Sequence, residues 1–184
     1  MAPAPPATLR MRSWLFAPGD SEKKMSKAAA GAADIVLFDL EDSVSPENKA
    51  AARAMVAAMI GAADRRARLW VRINPLATPD AVADLAAVMP AHPGGILLPK
   101  AEGAADVGQL HHYLTALEAA HGIARGTTRI AALVTETAAA MFRTGDYAGH
   151  YPGKARLVAV SWGAEDLSSA LGAREQRGPD GEFA

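Results

Sequence analysis

The chain has 184 residues, balances 19 lysines and arginines against 20 acids for a net charge of −1, and contains no cysteine. That balance gives no positive field to recruit nucleic acid or anionic lipid. The missing thiols exclude disulfides, thiolate zinc sites, iron–sulfur clusters and a cysteine nucleophile. Half of the residues are hydrophobic, but 43 of them are alanine, so large apolar side chains stand at an ordinary level. No apolar run reaches the roughly 18 residues that would span a bilayer, and a chain of this length buries roughly 70% of its unfolded surface. A cytoplasmic globular protein is expected, with chemistry resting on carboxylates, Arg, Lys, His, hydroxyls or a hard metal ion.

Residues 1–9 (MAPAPPATL) read as a loose arm without the apolar core of a secretory signal. Beyond them a short apolar run repeatedly ends in polar residues and gives way to an alanine-rich, helix-like segment. The runs are Arg10 to Ala17, Asp34 to Phe38, Leu69 to Ile73, Gly95 to Leu98, Arg129 to Val134 and Arg156 to Val160. Ser45-Pro46-Glu47 and Thr78-Pro79-Asp80 offer helix starts, and Gly31, Gly61 and Gly122 offer helix stops. Six βα units imply a parallel sheet covered by helices, and residues 10–184 read as a single domain.

An open doubly wound sheet keeps its chemistry at one switch point, whereas a (β/α)8 TIM barrel gathers every C-terminal strand end at one mouth. Nearly every run here ends in functional-looking residues, which favours the barrel. The runs begin about 29 residues apart, so eight units need about 232 residues. The expectation is a TIM-barrel-type sequence with six of its eight units present and the last two missing from this chain.

Glu136 and Asp166 follow the fifth and sixth runs and would face the same mouth. Two carboxylates suffice for Mg²⁺, which keeps several waters and leaves positions for substrate oxygens; the competing reading is helix capping by Thr135 and Asp166. Arg72 lies inside an apolar run, where a guanidinium needs a partner and is suited to gripping carboxylates. Asp39 and Glu41, in the acidic turn Asp39-Leu40-Glu41-Asp42, are its candidate partners, and a purely structural ion pair is the alternative. Crowding in that turn can raise a carboxyl pKa toward acid/base use, or the turn can simply be solvated. Pro18-Gly19-Asp20-Ser21 precedes a helix with Lys23, Lys24 and Lys27, a weak phosphate-site signal set against a solvated helix face. The five histidines form no metal set, and no glycine-rich nucleotide fingerprint or nucleophile elbow is present.

At these residues the chain resembles the family of the citrate lyase beta subunit, malyl-CoA lyase and citramalyl-CoA lyase. The resemblance runs through Arg12-Ser13-Trp14-Leu15-Phe16-Ala17-Pro18-Gly19, Asp39 to Val44, the series Pro46, Lys49, Ala52 and Arg53, and Val71-Arg72-Ile73-Asn74. It continues through Leu98-Pro99-Lys100-Ala101-Glu102 and Glu136-Thr137-Ala138 to Trp162-Gly163-Ala164-Glu165-Asp166-Leu167. It implies a TIM barrel, Mg²⁺ dependence and reversible cleavage of a C–C bond between a short 2-oxo acid and an acyl-CoA. It further implies Glu136 and Asp166 as metal ligands, Arg72 as the contact to substrate oxygens and the developing enolate, and Asp39 and Glu41 as its supports. Pro18, Gly19 and Lys24 fall where family members approach CoA. A homo-oligomer (trimer or hexamer) or a citrate-lyase-type complex is the implied assembly. Relatives continue for about a hundred residues, through strands seven and eight and a segment supplying an acid/base aspartate, so binding is the firmer expectation and turnover the weaker. A CoA-independent pyruvate aldolase of the same superfamily and a non-catalytic metabolite-binding subunit are the rival readings.

Overall fold

A computed structural model of the chain describes residues 10–182; the expected loose arm at residues 1–9 lies outside them. Six strands, β1 (Trp14–Pro18), β2 (Ile35–Asp39), β3 (Leu69–Arg72), β4 (Gly95–Leu98), β5 (Arg129–Leu133) and β6 (Leu157–Ser161), pair in parallel in strict chain order. The connecting helices are α1 (Glu22–Ala30), α2 (Lys49–Gly61), α3 (Pro79–Val88), α4 (Ala104–Ala120) and the short α5 (Ala138–Met141), and α6 (Ala164–Ala170) follows β6. A doubly wound sheet reverses its strand order at the ligand site; this one never reverses. It is the sequential α/β arrangement of a TIM-type barrel wall, six strands wide.

Strand alternation divides the core. Val36, Phe38, Val71, Ile96, Leu98, Ile130 and Ala132 face the helices and pack with Met25, Val56, Ile60, Leu85, Val107 and Leu110. Ile35, Leu37, Trp70, Leu97, Ala131 and Leu133 point the other way into a cluster whose members come from strands and the segment before β1, with no helix among them. Helices on one face and side chains alone on the other are what a barrel interior requires. Trp70 fills much of it, edge-on to Trp14 with ring centroids 5.1 Å apart. Gly95 makes the room: a Cβ there would lie 2.6 Å from the Trp70 ring.

Element boundaries follow the punctuation with local differences. The first run becomes a strand only from Trp14. Ser45-Pro46-Glu47 opens a short 3-10 turn, Pro46–Asn48, and α2 begins at Lys49. Gly122 takes the left-handed φ of +66° expected beyond a helix end, whereas Gly31 closes α1 in an extended conformation.

Candidate active site

The site begins with parity. Ile35, Leu37 and Asp39 share the interior face of β2, and Trp70 and Arg72 share that of β3, so the last interior position of each strand is charged. Register places Asp39 beside Arg72. The guanidinium grips the carboxylate with two parallel bonds, Nε to Oδ1 and Nη2 to Oδ2, each 2.7 Å. Asp39 also accepts the backbone N–H groups of Glu41 at 2.9 Å and Ser43 at 3.1 Å. Burial alone would raise this carboxyl's pKa; Arg72 and the N–H donors outweigh it and hold it below the usual range. Arg72 Nη1 is left toward the mouth, 2.9 Å from Glu41 Oε2 and 3.4 Å from Asp42 Oδ2, with the Phe16 ring 5.0 Å from its central carbon. The pair expected from the charged residue in an apolar run is therefore present. Glu41 behaves differently from Asp39: its burial is the largest influence and leaves its carboxyl raised. Its Oε2, though close to Arg72, lacks the alignment of a hydrogen bond.

A buried polar network fixes the acidic turn from behind. Lys49 Nζ donates to the carbonyls of Leu40 and Glu41 at 2.8 and 3.1 Å and to Asn74 Oδ1 at 2.7 Å. Asn74 donates to Leu40 O and to Asp84, and Asp84 is in turn paired with Arg53 at 2.7 Å. Asp84 is fully buried, so its charge depends on these partners.

The second half of the site is a pair of carboxylates. Glu136 stands at the end of β5, 3% exposed, and Asp166 in the first turn of α6. Burial is the first cause of a Glu136 pKa pushed up to about 7, with contact to the Asp166 carboxyl and the charges of Glu41 and Asp166 adding to it. Two acids forced together in this way gain most from a cation between them, and a donor set of two neighbouring carboxylates suits Mg²⁺. Among the described residues no three acids or histidines converge as a closed metal cage.

The expected caps are not made: α6 starts from Gly163 with no side-chain cap bond, and Asp166 lies within its first turn. Thr135 Oγ1 accepts from the Gly163 N–H at 2.9 Å, and it is Thr137 that caps α5, accepting from Ala140 N. Gly163 itself is required, because a Cβ there would lie 2.3 Å from Glu136 Cγ.

Lys100 joins the two halves and was not singled out from the sequence. It adopts a left-handed backbone, φ +49°, a conformation that costs a side-chain-bearing residue of order 1 kcal/mol. In return its N–H meets Glu136 Oε2 at 2.6 Å, while its ammonium reaches Glu41 Oε1 at 2.6 Å and stands 3.8 Å from Asp166 Oδ1.

Pro18 ends β1 beside Asp39, and Gly19 presses against β2, where a Cβ would meet Asp39 O at 2.7 Å. Pro18 also lines a cavity of about 300 Å³ with Phe16, Asp39, Ser43 and Arg72. Lys24 is exposed in the first turn of α1, outside the Arg72–Lys100–Glu136 cluster.

Residues 12–182 match the model of the HpcH/HpaI aldolase/citrate lyase family. The chain belongs to that family. The L-malyl-CoA/beta-methylmalyl-CoA lyase of Cereibacter sphaeroides is 39% identical over 176 residues, 94% of this chain and 54% of the relative. The citrate lyase subunit beta of Haemophilus influenzae is 33% identical, over 92% of this chain and 57% of its own length. Among solved structures, the citrate lyase beta subunit from M. tuberculosis complexed with oxaloacetate and magnesium superposes with a TM-score of 0.74 at 35% identity, covering 93% of this chain and 66% of that one. The chain spans about half the length of the curated relatives it matches. Family members of this kind share its parallel α/β wall, and no helix among its described residues is long and apolar enough to cross a membrane.

Proposed function

We propose that the chain carries the metal- and oxo-acid-binding part of a Mg²⁺-dependent carbon–carbon lyase, which cleaves a 3-hydroxyacyl-CoA with a carboxylate-bearing acyl chain into an acyl-CoA and a short 2-oxo acid, or runs the reverse. The observation that carries this reading is the Glu136–Asp166 pair set beside Arg72 and Lys100 at one mouth. Residues 10–184 work as one domain in this account. The names of the Cereibacter and M. tuberculosis relatives, a malyl-CoA lyase and a subunit complexed with oxaloacetate and magnesium, support the substrate class.

Glu136 and Asp166 hold the metal, which supplies Lewis acidity toward the carboxylate and carbonyl of the oxo acid. Cleavage passes the 3-hydroxyl proton to a base or water, turns that C–O bond into the oxo acid's carbonyl and breaks the C2–C3 bond; the electron pair remains as the thioester enolate, whose C2 then takes up a proton to give the acyl-CoA. Arg72 offers Nη1 toward that negative charge while Asp39 occupies Nε and Nη2, so the guanidinium is fixed before the charge develops. Glu41 steadies Arg72 and Lys100 together. Pro18 borders the cavity on the β1 side with Gly19 next to it in the chain, and Lys24, exposed in the first turn of α1, provides a cation for a CoA phosphate. Assembly as a trimer or hexamer, or within a citrate-lyase-type complex, belongs to the same reading.

The experiment is a screen of malyl-CoA, citramalyl-CoA and citryl-CoA against free hydroxy-oxo acids, with and without Mg²⁺. The reading expects Mg²⁺-dependent release of acyl-CoA and oxo acid from a thioester. Turnover of the free acids alone indicates the CoA-independent aldolase, and ligand binding without turnover of either set indicates a metabolite-binding subunit.

A further inference from the structure

The Lys100 ammonium stands among three carboxylates from two sides of the mouth: Glu41 Oε1 at 2.6 Å, Asp166 Oδ1 at 3.8 Å and Asp42 Oδ2 at 3.9 Å. One of these, Asp166, is half of the candidate metal pair, and the other half, Glu136, is held by the same residue's N–H. Lys100 therefore touches the pair in two independent ways, through its backbone and through its charge. The backbone contact needs only an N–H and would be made by any residue other than proline that accepts the left-handed φ. A glycine would accept that φ without cost; a lysine here must be explained by its side chain.

That side chain is not locked. It is 30% exposed, and Lys100 is among the residues lining a cavity of about 520 Å³ with Pro75, Pro99, Glu102 and Thr137. A fixed positive charge beside a metal ligand opposes binding of a divalent cation, and the same charge attracts an anionic substrate.

We propose that Lys100 couples the metal to the oxo acid: its ammonium serves as a counter-cation to Glu41, Asp42 and Asp166 when the site holds no substrate, keeping Mg²⁺ affinity low, and binds the carboxylate of the oxo acid when metal and substrate are together. This inference rests on the metal assignment above and adds an order to it, since tight metal binding then requires the substrate. It also gives Lys100 a specificity role, favouring ligands whose carboxylate can replace the lysine's present partners.

The test is calorimetric titration of wild type, Lys100→Met and Lys100→Arg with Mg²⁺ alone, and with oxaloacetate at saturating Mg²⁺. Lys100→Met keeps the N–H to Glu136 and the length of the stem, so it reads the ammonium alone; if it fails to fold by circular dichroism, Lys100→Gln takes its place. The expected result is a split. In the uncharged variant Mg²⁺ alone binds roughly tenfold tighter, oxaloacetate binds roughly tenfold weaker, and Lys100→Arg stays near wild type in both. A change in the same direction for both ligands, or none in either, overturns the inference while leaving the metal assignment standing. A wild-type chain that binds no Mg²⁺ with or without oxaloacetate overturns both.

Discussion

Replacing Gly163 with alanine tests the carboxylate pair without touching either carboxylate. The backbone at Gly163, φ −121° and ψ 84°, lies on the negative-φ side and does not itself demand glycine. The added methyl would sit 2.3 Å from Glu136 Cγ and 3.0 Å from both its Cδ and Oε1. Carbon atoms pack at about 3.5–4.0 Å, so the Glu136 side chain must retreat by more than about 1 Å or change rotamer. Overpacking of this kind costs about 1–3 kcal/mol, a fall in Tm of about 2–12 °C for a chain of this size. Metal binding should suffer along with the fold. Disturbing the orientation of a ligand typically loses about 10–100-fold in affinity, about 1.4–2.8 kcal/mol. The assay is a thermal melt paired with Mg²⁺ titration in the presence of oxaloacetate, with Glu136→Gln as the reference for a lost ligand. A folded Gly163→Ala protein with wild-type Mg²⁺ affinity would refute the placement of Glu136 at the metal.

Other outcomes follow from the same contacts. Arg72→Met leaves Asp39 buried without its cation, while Glu41 keeps Lys100, and should cost about 3–5 kcal/mol by urea denaturation; an unchanged midpoint would mean that Asp39 reaches water. Glu118 and Arg156 form a buried pair at 2.6 Å. Burial there is outweighed by Arg156 and by the N–H groups of Gly126 and Thr128, which bring the Glu118 pKa down to about 2. A depressed carboxyl stabilises the fold above its unfolded value and loses that contribution as pH falls. Roughly 3 kcal/mol should therefore disappear between about pH 4.5 and 2, a slope that Glu118→Gln removes. Glu136 has the opposite sign. Its raised carboxyl holds a proton up to about pH 7, so the metal-free fold should lose stability as pH rises from about 4.5 through 7. Mg²⁺ must displace that proton, so its affinity should climb toward tenfold per pH unit below 7 and level off above it; a flat profile between pH 5.5 and 8 would contradict the shift.

The six strands were legible because each is a short apolar run stopped by polar residues, and the parallel wall because the runs alternate with alanine-rich helices. The Arg72–Asp39 pair was legible for a related reason: a guanidinium inside an apolar run has to be paired, and the preceding strand ends in acids. Glu136 and Asp166 were visible as acids at strand ends, but spacing alone left capping and metal binding level; in the structure Thr137 caps α5 and Thr135 bonds Gly163. Lys100 was hidden because nothing in a Pro-Lys-Ala-Glu stretch announces a left-handed lysine; its meaning comes from Glu41 and Glu136, 59 and 36 residues away. Gly163 was hidden likewise, since its need for a bare Cα arises from the Glu136 side chain on the neighbouring strand end. The network of Lys49, Asn74, Asp84 and Arg53 joins α2, α3 and the end of β3, and the periodicity of one element cannot show contacts among three.

The most direct measurement of the central claim uses Mn²⁺ in place of Mg²⁺ and pyruvate labelled with ¹³C at C1 and C2. If Glu136 and Asp166 hold a metal that chelates the oxo acid, the chain with Mn²⁺ should strongly enhance the relaxation of both carbons, and Glu136→Ala and Asp166→Ala should each abolish the effect. Enhancement that persists in both variants would place the metal elsewhere and contradict the account.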